Sequence, residues 1–275
     1  MKKLTLRRQT VIIGLATLLC VFLFRWLGGF EFLELKAIDA AFAVRGAIKP
    51  ESPTVIVAID DESFDQTGLH WPWSRAFFAQ IVEKLAQGGA RVIVLDVTFY
   101  EPFDGDAALA ASIQNAGNVI LANNITVVAD PKFRLEQLQM PIEALLKTGA
   151  ATGLSNFPAD ADGFGRHVLA YQTLNEKLYY HWGVVAIARY LNQKLPENAS
   201  PAQIRLGTRT IPLRDQALLV NYRGPARTFR NIPAYQVANG DVPPEFFKDK
   251  IVLIGATTET LHDTYATPFG GSDRK

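Results

Sequence analysis

The 275-residue chain is 48% hydrophobic and 20% charged with a formal net charge of +1, a balance that excludes disordered and fibrous classes and suffices for one large or two modest cores. Beyond the first eight residues Lys and Arg are dispersed, so no basic face gathers phosphates and nucleic acid is not an expected partner. Cys20 is the single cysteine, which rules out an intramolecular disulfide, a cysteine zinc cage and an iron–sulfur cluster held by this chain alone.

Residues 1–8 carry Lys2, Lys3, Arg7 and Arg8. The apolar run VIIGLATLLCVFLF follows, then Arg25 and WLGGF, so that residues 9–30 supply the roughly 20-residue span a bilayer core requires. The basic cluster places the N-terminus in the cytoplasm by the positive-inside bias. The expectation is a single anchor in the cell (inner) membrane, with the main domain periplasmic or extracellular. A cleaved signal peptide is the rival reading, although the nearest A-x-A site, Ala41-Phe42-Ala43, lies far beyond the apolar run. Arg25 is close enough to the far interface to snorkel beside Trp26.

Residues 31–52 read as an amphipathic stalk. FEFLELKAIDAAFAV keeps apolar residues at helical spacing with Glu31, Glu34, Lys36 and Asp39 interleaved. Phe32, Leu35, Ile38 and Phe42 share one face, which suits a homodimer seam or packing on the chain's own domain. Gly46, Pro50 and Pro53 then force extended backbone.

The domain, residues 53–275, is expected to be α/β, with a mixed, largely parallel central sheet flanked by helices. Thr54–Ile59, Arg91–Leu95 and Lys250–Ile254 are continuous apolar runs, as in strands buried on both faces. Ser74–Gly88 is a helix with Ser74 as N-cap and Gly88-Gly89 as its end. It makes a βαβ unit of the first two strands, with the two expected side by side. Asp106–Ala116 and His181–Leu191 are further helices, and Asn118–Leu121 a further strand. Arg166–Thr173 with a Leu174–Lys177 turn, Thr208–Leu213 and Ala217–Tyr222 suggest antiparallel additions to the sheet.

Ligands of such sheets favour the crevice beyond the strand carboxyl ends. Asp60 and Asp61 leave the first strand there, Asp96 the second, and Thr257, Thr258 and Asp263 follow the third. Carboxylates so placed hold a cation, trade protons or bind a cationic ligand; alternatively they cap the following helices and turns. Trp71 and Trp73, around Pro72, form either a ligand wall or a lid on the sheet end. Arg75 meets one of these acids or an incoming anion. Asp263, Tyr265, Tyr222 and Arg223 are placed around the same pocket by motif position. His70, His167, His181 and His262 lack metal-ligand spacing, and no G-x-S-x-G, G-x-G-x-x-G or P-loop pattern occurs.

The segments VIVAIDDESF, WPWSR, GARVIVLDVTFYEP with its following DAALA helix, ADGFGRHV, LLVNYRGPARTF and KIVLIGATTETLHDTYATPF, in this order, resemble the CHASE2 family of extracytoplasmic sensor domains. The resemblance spans Pro53 to Phe269. It implies a membrane-anchored receptor region that answers an undefined small molecule or physical stimulus and drives a cytoplasmic cyclase, histidine kinase or protein kinase. The family's usual further strand, helix and membrane helices do not follow TPF here, so the chain is expected to be a truncated piece of a longer receptor whose output domain lies elsewhere. No cofactor and no catalysis are expected. A Mg²⁺-dependent hydrolase using Asp60, Asp61 and Asp96, and a dimerisation module that senses nothing, are the alternatives.

Overall fold

Two helices lead into the domain in this computed structural model, which describes residues 6–130, 133–258, 261 and 265–270. Helix α1 (Leu6–Trp26) has no acidic residue in its first turn and ends on Arg25 and Trp26. Its Arg8–Trp26 span is long and apolar enough to cross a membrane and is unburied within the chain. At Gly28 the backbone turns left-handed (φ 73°), a conformation that strains any residue bearing a Cβ. Phe24 and Phe30 meet edge to face across that turn, 5.0 Å between centroids. Helix α2 (Gly29–Arg45) follows and stops at Gly46, whose N–H closes back onto the Phe42 carbonyl.

The domain then runs β1 (Thr54–Ile59), α3 (Asp61–Thr67), α4 (Arg75–Gln87), β2 (Val92–Asp96), α5 (Asp106–Ala116), β3 (Val119–Asp130), β4 (Phe133–Gln139), α6 (Glu143–Leu146) and β5 (Ala151–Leu154). Its second half is β6 (His167–Leu169), β7 (Tyr171–Leu174), β8 (Lys177–Tyr180), α7 (Trp182–Tyr190), β9 (Gln203–Leu206), β10 (Arg209–Pro212), β11 (Ala217–Leu219), β12 (Arg230–Pro233), α8 (Ala234–Asn239) and β13 (Ile251–Ala256). Ser74 caps α4 by accepting from the Ala76 N–H, as its position before the helical period implies.

The central sheet has the order β12–β1–β13–β2–β3–β4, with β5 on the first half of β3. Every pairing is parallel except β3 with β4. The fold class is therefore the one expected, a mixed and largely parallel α/β sheet behind one apolar helix. The neighbour relation of β1 and β2 is not. β13 lies between them, in the register Ala58, Gly255, Asp96. Its inserted position has a packing reason, since β13 is apolar on both faces. Val252 and Ile254 join the core under α4, α5 and α8, while Ile251 and Leu253 join the core under α7. Such a strand is best buried in the sheet centre.

A second correction concerns the hairpin-like pieces. They form separate two-stranded ribbons, β7–β8, β9–β10 and β6–β11, which are not strands of the central sheet. Ile204, Leu206, Tyr171 and Tyr180 from these ribbons share the α7-side core with Val184 and Val185, so their apolar residues are satisfied by face packing and need no ladder with the sheet. The β7–β8 turn falls where expected, on Asn175 and Glu176, both at positive φ, as a two-residue hairpin loop requires.

Candidate functional site: a charged junction between stalk and domain

The acids leaving the sheet do not assemble into one constellation among the described residues. Asp60 caps α3, accepting from the Ser63 N–H (2.9 Å) and hydroxyl (2.6 Å). Asp61, one residue on, accepts a hydrogen bond from the Thr258 hydroxyl and so ties α3 to the end of β13. Asp96 sits two strands from Asp60, roughly 9–10 Å at ordinary strand spacing. It faces Tyr100, whose hydroxyl is pushed up to about 12 by burial and by the Asp96 charge.

Arg75 does not supply a counter-charge to Asp60 and Asp96. Its guanidinium stacks over Phe99 (4.5 Å) and Phe103 (5.2 Å), and its Nε lies 3.6 Å from the Asp106 carboxylate. That separation is a Coulombic contact and too long for a hydrogen bond. Burial lowers the Arg75 pKa, and Asp106 opposes the shift. Trp73 is fully buried against Phe64 and Phe77, each 4.9 Å away, and forms part of the core as a lid. Trp71 is half-exposed, edge-on to Trp73.

The remaining predicted positions separate from this edge. Tyr265 stacks edge to face on Phe157 at 4.8 Å. The Arg223 carbonyl accepts from the Ile48 N–H, on the segment leaving the stalk. Tyr222 donates to the Gly165 carbonyl and meets Phe42 of α2. Its hydroxyl is raised to about 12, first by burial and then by Asp160. Asp263 lies outside the described residues.

Tyr222 instead belongs to a constellation that the sequence reading did not assemble. The loop ADADGFGRH folds on itself: Asp160 N–H donates to the Phe164 carbonyl (2.7 Å), Gly163 N–H to the Asp160 carbonyl (2.8 Å), and Gly163 takes the left-handed conformation this turn demands (φ 82°). Asp160, Asp162 and Arg166 consequently converge. The Arg166 side chain is wholly buried, and its fork grips Asp39 of α2 with two bonds of 2.7 Å, from Nε and Nη2. Nη1 donates to Asp160 (3.1 Å) and Asp162 (2.8 Å), Nη2 also to Asp162 (3.0 Å), and the Phe164 ring lies 4.5 Å below the guanidinium.

Lys36, one helical turn before Asp39, reaches both Asp39 (3.4 Å) and Asp162 (3.3 Å), and His167 Nδ1 pairs with Asp160 at 2.8 Å. Hydrogen bonding from Arg166 is the main reason that the Asp39 and Asp162 carboxyls are held below the usual carboxylate range. The Arg166 pKa is raised by the same bonds, Asp39 first. Two flanking contacts extend the junction along α2: Arg214 with Glu34, and Arg45 with Asn221 (2.6 Å) and the Tyr222 carbonyl.

Leu35 and Phe42, half of the apolar stalk face, are 6% and 7% exposed, with Phe42 packed on Tyr222 and Phe269. Of the two uses open to that face, these residues serve packing on the chain's own domain; Phe32 stays exposed. Chemically, the junction holds α2 against the domain through the buried Arg166 fork and, on the exposed side, the Arg214–Glu34 pair. Its described residues include no nucleophile–base pair. Among the described residues no group of three His, Cys, Asp or Glu side chains is arranged to hold a metal ion. Asp60, Asp61 and Asp96 therefore do not form the joint site a metal-dependent hydrolase would need.

In this α/β domain a buried arginine clasps a helix that continues from a membrane-length span. The chain matches the CHASE2 domain family over residues 16–274 and belongs to it, which bears out the resemblance carried by the six motifs. CHASE2 domains are extracytoplasmic sensory domains. The match begins inside α1, so it takes in α2 and the junction as well as the sheet. No curated protein and no solved structure shows a significant match to the chain.

Proposed function

We propose that this chain is the sensory region of a membrane-anchored signal-transduction receptor, which passes a conformational change through α2 and α1 to a cytoplasmic cyclase or kinase. The buried grip of Arg166 on Asp39 carries this reading. A helix that merely tethered a domain would need no wholly buried arginine at its contact, since exposed pairs contribute little, whereas a bistable junction is the usual means by which a local change reaches a distant effector. The sensor acts by binding or by responding to a physical condition, without catalysis. Its N-terminus is cytoplasmic, and its sheet domain lies outside the cell (inner) membrane. Receptors pair through α1, whose sides are free of the domain.

The test is to cross-link the junction. Cysteines replacing Lys36 and Asp162 in the full-length receptor, bridged by a cleavable bis-maleimide, are expected to freeze effector output at one level across growth conditions, with cleavage restoring the response. A bridged receptor that responds as the unbridged one does would overturn the reading.

A further inference from the structure

Beside the junction, where α1 turns into α2, lies a cavity of about 530 Å³ lined in part by Arg25, Phe30, Glu31, Leu35, Ile38 and Asp215. This is ligand size for a small organic molecule. Two polar pairs already stand on its wall, the Glu34–Arg214 ion pair and the contact of Asp160 with His167. Three further charged side chains, Glu31, Asp215 and Arg25, make no hydrogen bond or ion pair among the described residues. The cavity thus presents two solvent-exposed carboxylates and one exposed guanidinium, none in an ion pair among the described residues although Asp215 acts on Arg214 through its charge, beside an apolar α2 surface of Phe30, Leu35 and Ile38.

We propose that this cavity binds an amine-bearing amphiphile, the ammonium meeting Glu31 and Asp215, the apolar segment lying on α2, and Arg25 accepting an anionic substituent where the ligand has one. A ligand of purely anionic character is disfavoured by the excess of acids, and a purely apolar one would make no use of the two carboxylates. Because Glu31 and Leu35 stand on α2 while Asp160, His167 and Asp215 stand on the domain, occupancy favours one placement of the stalk over another. This step rests on the sensor reading above and names the ligand class for it. The chemistry has two sources, a soluble amine or the zwitterionic headgroup of an aminophospholipid at the membrane surface.

The test uses the full chain in phosphatidylcholine nanodiscs, titrated calorimetrically with phenethylamine, with 2-phenylethanol as neutral counterpart and empty discs as baseline. Saturable binding of the amine above baseline, absent for the alcohol and weakened about tenfold in both Glu31→Gln and Asp215→Asn, is expected. Asp215→Asn guards against misfolding, since Asn tolerates the left-handed backbone at this position (φ 48°). Loss of phenethylamine binding in discs containing phosphatidylethanolamine would identify the lipid as the source, and undiminished binding a soluble amine. No saturable amine binding, or equal binding by wild type and both variants, overturns the proposal. Either result leaves the cross-linking test of the sensor reading standing separately.

Discussion

Replacing Arg166 by Gln removes five hydrogen bonds to three carboxylates from a side chain with no solvent exposure. Breaking a buried pair by deleting one partner costs about 3–5 kcal/mol. The acids here keep 11–21% exposure, and Lys36 remains beside two of them, so about 3 kcal/mol is the expected loss. For a domain of this size that lowers the melting temperature by roughly 6–12 °C. Asp39→Asn keeps one acceptor oxygen and loses the charge, at about 1.5 kcal/mol. In a double-mutant cycle measured by thermal and guanidinium unfolding of the full chain in nanodiscs, Arg166 and Asp39 should couple by about 1.5 kcal/mol. The pH dependence has a definite sign. Folding depresses the Asp39 carboxyl below its ordinary 3.8, so its contribution is complete above that value and is lost as the pH falls through the lower folded one. The gap between wild type and Asp39→Asn is therefore flat from pH 8 to about 5 and shrinks below about 4. Additivity within about 0.5 kcal/mol, or a gap that grows on acidification, would refute the reasoning.

Three further outcomes follow from the same geometry. His181, N-cap of α7, accepts from the Gly183 N–H through Nδ1 and is held down to about 4 by burial; stability should drop by on the order of 2 kcal/mol as pH falls from about 6.5 towards 4, and His181→Asn should flatten that slope in pH-resolved melts. Trp73→Ala is expected to cost about 3–5 kcal/mol in guanidinium unfolding because the indole is wholly buried, and a loss below about 1 kcal/mol would deny it the lid role. Asp60→Ala should cost about 1 kcal/mol, the ordinary value of a lost N-cap, with no change in divalent-cation binding; a calorimetric Mg²⁺ signal lost in this variant would instead restore the metal reading of the strand ends.

The strands β1, β2 and β13 were readable because continuous apolar runs of five or six residues have few other uses in an α/β chain. Their order was not. Nothing local in TVIVAI, RVIVL and KIVLI states which neighbours which, and the insertion of β13 between β1 and β2 is decided by packing on both faces across nearly two hundred residues of sequence. β12 escaped notice because RNIP buries one residue, Ile232, and β4 because the apolar alternation of FRLEQLQ breaks at Gln137-Leu138. The junction left a fainter trace: two acids two apart, two glycines and an arginine within ADADGFGR, and Lys36 with Asp39 one turn apart on the stalk. Each fragment alone is an ordinary loop or a solvated helix face. Only the fold shows that Arg166 answers Asp39 from 127 positions away.

Effector output of the full-length receptor in its host, measured for wild type, Asp39→Asn, Arg166→Gln and the control Asp60→Asn, tests most directly whether the junction carries the signal. A coupling of about 1.5 kcal/mol corresponds to roughly a tenfold change in the ratio of clasped to released stalk. Asp39→Asn and Arg166→Gln are predicted to move basal output in the same direction by threefold or more, with Asp60→Asn unchanged. Wild-type output in both junction variants, while hydrogen exchange shows α2 released from the domain, would contradict the account.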